Sequence, residues 1–544
     1  MLELWAAFAV ALVPWAAVAY TRTRRFLHIL QLEEYFTRQY LRWLSENYRR
    51  YLTPLLVGGG FVLTAFATGV VWFGGSTADW AIIVAWGAAG ALLYSKRPIA
   101  RAKKPLVMTP RSRRLLIIGL VLCCGVVAWA VAVGLFIGSR ASIGLGIIAA
   151  FVACVAAGHL LALANLILYP SEAASRRRYE IIASRHLSER RPRIIAITGS
   201  AGKTTTKELV AHLLSGRFRV LKTPSSFNTP MGIARTVNDS YRDQDVFVVE
   251  MGAYQKGEIE RLCRLVGGTE VSVITTVNAQ HLERFGSLEK TAEAKWEIIE
   301  GLRPGGVAVL NFDVPAVRSR AATLQGQDVV SFGVESTDVD LRGGKVIETP
   351  DGIEFDVTHA GETVAVKSQL LARHNAGNIL AALGVGLTMG LDLGYMAAAV
   401  RQFRAPDHRL QPQRLANGVV LLDDGYNANP EGIVGALEVL GGYAPKQRIV
   451  VTPGLIEMGA EKATYHAAIG RAAAKTVDVA VLVGPRQTAD IKAALLASDF
   501  PAAQIHVTKS FDEARQLVES MATRDTAILY ANDLPDQFDE SLLI

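Results

Sequence analysis

The stretch best equipped for chemistry is Ile194–Thr206, IIAITGSAGKTTT, in which an apolar run feeds a glycine-lysine-threonine loop and then a helix-forming segment. Backbone N–H groups of such a loop, with the positive end of the helix behind it, cradle phosphates. In the run Gly199, Ser200, Ala201, Gly202, Lys203, Thr204 and Thr205, the Lys203 ammonium would reach the β- and γ-phosphates of ATP. The Thr204 hydroxyl would reach Mg²⁺. The general phosphate-loop pattern asks for another glycine where this chain has Ile197. The order strand, loop, Lys-Thr and helix still points to nucleotide binding.

Three further side chains follow that loop in order. Glu250 closes the apolar run FVVEMGA, where a carboxylate emerges beside the phosphate loop and can hold Mg²⁺. His281, in VNAQHLERFGS, comes just after another strand, on the carboxyl edge where α/β sheets bind ligands. Lys295 lies in AEAKWEII, a helical stretch. Singly, these are an ordinary strand end, loop histidine and helical lysine; what joins them is that their order and spacing match one family.

That set resembles the Mur ligases, the ATP-dependent amide-forming enzymes of peptidoglycan precursor synthesis. TGSAGKTTT looks like their phosphate loop, and ITTVNAQHLERFGSLEKTAEAKWEII looks like the segment carrying their metal-binding histidine and their lysine. ARHNAGNILAA is similar to the motif whose asparagine, here Asn375, approaches the adenine. LLDDGYNANPEGI resembles the start of the C-terminal domain in members that add D-alanyl-D-alanine. The resemblance covers about residues 193–530. It implies that ATP phosphorylates a substrate carboxylate and that an amine then displaces phosphate. It further implies that Thr204 and Glu250 hold one Mg²⁺ and His281 a second, and that Lys295 is carbamylated in many members. Arg409, in DHRLQP, and Asp424 match positions that contact nucleotide when the C-terminal domain closes.

The chain departs from the family in three places. Membrane-type sequence stands where soluble members carry a domain for the acceptor's uridine nucleotide. VTPGLIEMG replaces the usual glycine-aspartate-methionine stretch, and YANDLPDQF differs from the usual ending. The expected partners are therefore a carboxylate acceptor, lipid-linked or polymeric, and an amino-acid or dipeptide amine donor. A ligase resembling poly-γ-glutamate synthases is the alternative, and a membrane ATPase coupled to transport or signalling is a third reading from another class.

The elements that must position these residues are α/β. The expected fold is a P-loop nucleotide-binding central domain plus a Rossmann-like C-terminal domain, preceded by an all-α transmembrane region. Candidate strands are Ile194–Thr198, Val246–Met251, Val271–Val277 and Val307–Asn311, with helices at Thr205–Leu214 and Leu288–Gly301. Glycine turns between alternating stretches at 337–370 predict an antiparallel insertion, and a helix is expected at Asn375–Met389. A second series places strands near 418–423, 448–452, 478–483 and 526–530. The boundaries so drawn are 1–170 transmembrane, 171–192 basic linker, 193–405 central domain and 406–544 C-terminal domain.

Half of the 544 residues are hydrophobic and only 20% are charged, too apolar for an ordinary soluble enzyme. The net charge of +7 conceals a +14 balance over residues 1–192 and −7 over the remainder. Basic residues flanking apolar runs set membrane orientation and meet anionic lipid, which argues against nucleic acid as a partner. The apolar stretches Leu4–Tyr20, Leu52–Gly75, Trp80–Tyr94, Leu115–Ser139 and Ala141–Tyr169 predict about five spans. Placing the basic segments 21–51, 96–114 and 176–178 on the cytoplasmic side requires an outside N-terminus and five crossings. The ligase domains would then be cytoplasmic in a multi-pass protein of the cell membrane. Residues 27–50 mix aromatic, aliphatic and charged side chains at helical spacing and predict an interfacial amphipathic helix. His159 has no acidic partner in any span, so transport is not the leading function. Four cysteines without a C-x-x-C pair exclude a disulfide scaffold and a thiolate zinc site.

Overall fold

The structure, a computed structural model, describes residues 1–532 apart from 53–57, 75–78, 96–104, 279–286, 426–428, 444–445, 457 and 459–460. It divides into two compact units, with the division at Ser175/Arg176.

The first unit is helical. Its helices are Leu2–Leu32, Thr37–Glu46, Tyr48–Tyr51, Gly60–Phe73, Asp79–Ser95, Pro110–Ile137 and Ser139–Arg190, the last running past the unit's end. Three of them, Leu2–Leu32, Pro110–Ile137 and Ser139–Arg190, are long and apolar enough to cross a membrane. The expected span at Leu52–Gly75 is represented by a helix of 14 residues, roughly 21 Å at 1.5 Å per residue and short of a 30 Å hydrocarbon core. Gly58 and Gly59 continue the helical course as a π turn ahead of it, and residues 53–57 lie outside the described residues. The stretch at Trp80–Tyr94 forms a 17-residue helix.

The amphipathic segment also differs from expectation. Residues 27–32 complete the first helix, and Glu34 and Tyr35 then take positive φ and break the chain's course. The helix Thr37–Glu46 buries Tyr40, Trp43 and Leu44, and Tyr40 donates to the Gly158 carbonyl at 3.0 Å. It packs one face on the other helices of its unit and leaves Arg38, Arg42 and Glu46 exposed on the other, as the amphipathic reading expects of a shorter segment.

In the second unit a ten-stranded sheet contains β1 Arg193–Thr198, β2 Val220–Lys222, β3 Val246–Glu250, β4 Thr269–Ile274 and β5 Leu302–Asn311. It continues with β6 Asp328–Gly333, β7 Leu341–Gly343, β8 Ile347–Thr349, β9 Gly352–His359 and β10 Glu362–Ser368. The order is β10-β9-β7-β6-β5-β4-β1-β3-β2, with β8 paired to β9. Pairing is parallel from β2 across to β7 and antiparallel among β7 to β10. The glycine-turn hairpins at 337–370 thus extend the main sheet's edge.

The central parallel strands β1, β3 and β4 are buried on both faces, as parallel sheets require. Ile195 and Ile197 of β1 join one core with helices Lys203–Leu214 and Asn375–Thr388. Ile194 and Ala196 join the opposite core with Pro230–Ser240, Glu258–Val266 and Leu288–Glu300. Each such isoleucine contributes on the order of 1.5–3 kcal/mol on burial. The chain passes from β1 towards β2 and β3 on one side and then returns to β4 on the other. This reversal opens a crevice at the carboxyl ends of β1 and β4, where α/β sheets hold ligands.

A second sheet of six strands holds β11 Gln411–Arg414, β12 Val420–Asp424, β13 Gln447–Thr452, β14 Val479–Val483, β15 Ile505–Thr508 and β16 Thr526–Ala531. Its order is β11-β12-β16-β13-β14-β15, parallel apart from β11.

Candidate functional site

The loop after β1 is built for close approach. Gly199 and Gly202 both have positive φ. A Cβ at Gly199 would fall 1.9 Å from Thr275 Oγ1, and one at Gly202 2.1 Å from Asn378 Oδ1. The loop is pinned to the end of β4: Ser200 N–H donates to the Thr276 carbonyl at 2.8 Å, and Ala201 N–H to Thr276 Oγ1 at 3.0 Å. The helix starts at Lys203, so its first N–H groups point at the crevice. Lys203 Nζ folds back on the loop and donates to the carbonyls of Gly199 and Ser200 at 2.8 and 3.0 Å. Burial lowers its pKa to about 8; Glu250 opposes that shift and Arg409 adds to it. Thr205 is buried in the first turn.

β3 ends on Glu250, which is 1% exposed. Its Oε2 accepts from Thr204 Oγ1 at 3.0 Å and its Oε1 from Asn228 Nδ2 at 3.1 Å. Hydroxyl and carboxylate oxygens side by side are hard donors, and Mg²⁺ commonly takes one or two carboxylates with the rest from phosphates and water. Among the described residues no group of three or more His, Cys, Asp or Glu converges to hold a metal by itself. The oxygen pair therefore fits Mg²⁺ shared with a phosphate chain.

The second sheet reaches the same place. Arg409 Nη2 lies 3.5 Å from Thr204 Oγ1, as a donor to it. Asp424, at the end of β12, accepts from Leu410 N–H at 3.1 Å. Burial pushes its pKa up to about 6, against the pull of Arg409 and of that hydrogen bond, with Asp423 raising it slightly further. Asn278, after β4, donates to Glu431 at the start of helix Pro430–Gly441.

Two family models match this chain: the Mur ligase middle domain over residues 197–386, and the Mur ligase glutamate ligase domain over 408–532. Together they span more than half of it. The chain belongs to the Mur ligase family. It is 34% identical over 298 residues to the UDP-N-acetylmuramoyl-tripeptide–D-alanyl-D-alanine ligase of Escherichia coli, covering 55% of this chain and 66% of that protein. The Bacillus subtilis enzyme of the same name is 32% identical, covering 53% and 62%. The chain thus spans less than two thirds of these relatives' length. In fold it is similar to MurF from Acinetobacter baumannii (TM-score 0.59, 24% identity, 66% of this chain and 77% of that one). MurF from Thermotoga maritima in complex with ADP is equally similar (TM-score 0.59, 24% identity, 67% and 82%).

In this Mur ligase Asn375 heads the helix Asn375–Thr388 and is buried. Its Nδ2 donates to the Leu371 carbonyl at 2.6 Å, and its Oδ1 accepts from Asn378 Nδ2 at 2.7 Å. Asn378 Oδ1 in turn accepts from Thr206 Oγ1 at 3.3 Å and fills the space over Gly202. The pair therefore braces the loop at Gly202, and its second member is a residue that motif reading passed over. Lys295 is buried on helix Leu288–Glu300; burial first, and then the charge of Lys203, holds its pKa well below the ordinary lysine value. His281 lies outside the described residues. Asn228 and Lys207 were also missed, since only packing against Glu250 and the segment around Ser225 sets them apart.

Proposed function

We propose that this Mur ligase uses ATP to join a carboxylate acceptor to an amine donor through an acyl phosphate, in cell-wall precursor synthesis. One observation carries the reading: Lys203, Thr204 and Glu250 meet at one loop, with Arg409 from the second sheet reaching the same threonine. An acceptor carboxylate oxygen attacks the γ-phosphorus and ADP leaves. The amine then attacks the acyl carbon, phosphate departs, and the ammonium's surplus proton passes to solvent. Lys203 and the loop N–H groups stabilise charge gathering on the transferred phosphoryl group. Mg²⁺, bound by Thr204 and Glu250 with His281 proposed for a second ion, would neutralise phosphate charge. Arg409 and Asp424 close on the nucleotide from the second sheet and exclude water from the acyl phosphate. A neutral amine is the form that adds CO₂, so the depressed pKa of Lys295 supports its acting as a carbamate.

The relatives' names support D-alanyl-D-alanine as the amine. Three helices fit to cross a membrane, with basic flanks, support a multi-pass protein whose ligase domains are cytoplasmic. We infer an acceptor held at the membrane through a lipid, with anionic headgroups drawn to the basic segment 96–114.

The test uses full-length protein in lipid nanodiscs with ATP, D-alanyl-D-alanine and a muramoyl tripeptide, either UDP-linked or lipid-linked. Phosphate release should require acceptor and amine together and should be faster with the lipid-linked acceptor. Release indifferent to both substrates would make the protein an ATPase. Equal rates with the two acceptors would reduce the helices to an anchor.

A further inference from the structure

Lys207 is a buried cation that the mechanism above leaves without a role. It lies one turn beyond Lys203 on the same face of helix Lys203–Leu214 and is 0% exposed. Its Nζ donates to the Ser225 carbonyl and lies 3.5 Å from Glu250 Oε2. Glu208 is 3.4 Å away, but that carboxylate also pairs with Lys222. Ser225 sits at φ 46°, a left-handed conformation that a non-glycine residue keeps only when its surroundings hold it there. The segment around it is tied to Glu250 from both ends: Glu250 N–H donates to Thr223 Oγ1 at 3.1 Å, and Asn228 donates to Oε1.

A buried carboxylate is costly unless its charge is matched nearby. Thr204 donates to Oε2 at 3.0 Å, while Lys207, 3.5 Å from the same oxygen and hydrogen-bonded to the Ser225 carbonyl, supplies a nearby positive charge. A nucleotide brings several negative charges to that loop, and unmatched repulsion from Glu250 at such range would weaken its binding by about tenfold or more. We propose that Lys207 is a positioning residue: it is the counter-charge to Glu250 that lets a phosphate chain occupy the loop independently of a divalent cation. This rests on the assignment of 199–204 as the phosphate site with Glu250 beside it.

The experiment is calorimetric titration of full-length protein with ADP, once in EDTA and once in saturating Mg²⁺. Lys207→Met should bind ADP about tenfold or more weakly in EDTA and lose less in Mg²⁺, where the cation offsets the carboxylate. The double variant Lys207→Met/Glu250→Gln, with neither charge, should return the EDTA affinity to within about threefold of wild type. A merely structural lysine would leave the double variant as weak as the single one, and that result overturns the proposal. So do an unchanged EDTA affinity in Lys207→Met and equal losses in the two buffers. If the single variant fails to fold, the charge-balanced double variant carries the test alone, and its failure to fold or to bind overturns the proposal. Wild-type ADP affinity in Lys203→Ala would instead remove the phosphate-site assignment, whatever Lys207 does.

Discussion

The carboxyl edges of the two sheets treat polar side chains in opposite ways. At the ten-stranded sheet, charge faces charge: Lys203, Lys207 and Glu250 crowd one crevice, and Lys295 feels the charge of Lys203. At the six-stranded sheet, side chains hold backbone. Asn532 Nδ2 donates to the Gly454 carbonyl at 2.7 Å, and Gln487 Nε2 to the Leu455 carbonyl at 2.7 Å. Leu455 N–H donates to the buried His466 Nε2 at 2.9 Å. These bonds fix the turn after β13, within the VTPGLIEMG segment where the sequence leaves the family pattern. The first edge gathers charged side chains around one loop. The second is prepared to keep one shape. Substitutions at the first edge should therefore cost function, and those in the turn after β13 should change stability.

Lys203→Ala offers the largest effect. Among the described residues the side chain's hydrogen bonds go to its own loop's carbonyls, so the fold should survive. Ligation should fall on the order of 10²–10³-fold, the usual consequence of removing a donor that stabilises developing charge. Steady-state phosphate release and a melting curve on the same preparation check both halves. Undiminished turnover in a folded variant would erase the contrast between the edges.

Lys295→Ala comes next. Ligation should drop on the order of 10²-fold and recover in part with added formate or acetate, since a small anion can stand where the carbamate stood. Wild-type activity in the alanine variant would make Lys295 a packing residue.

The contrast between the edges was only half legible in the sequence. β1, its loop and helix Lys203–Leu214 were readable because an apolar run, two glycines and Lys-Thr are local signals. Glu250 was readable as a polar residue ending an apolar strand. Lys207 was not: a lysine in a helix reads as solvated, and only packing against Ser225 and Glu250, 18 and 43 positions away, buries it. Asn378 was hidden likewise, its partner Thr206 lying 172 positions off. β2 has three residues and β15 four, too few for alternation to show. In the helical unit, hydropathy located the apolar segments.

The smallest expected effect lies at the second edge, at Asp424. Its pKa is raised from 3.8 to about 6, chiefly by burial. The native protein therefore holds this proton more tightly than the unfolded chain does. The associated stability is fully present below pH about 4 and is lost as pH rises through about 6, leaving an ionised, half-buried carboxylate at neutral pH. Asn resembles the protonated acid and can still accept from Leu410 N–H. Nucleotide-free Asp424→Asn should melt about 2–4 °C above wild type at pH 7.5, with the difference shrinking to nothing near pH 4. Scanning fluorimetry across that range checks it. A variant that melts lower than wild type at neutral pH would mean that attraction to Arg409 outweighs burial. Asp424 would then belong with the charged crevice of the first edge, and the line between the two edges would have to be redrawn to include it.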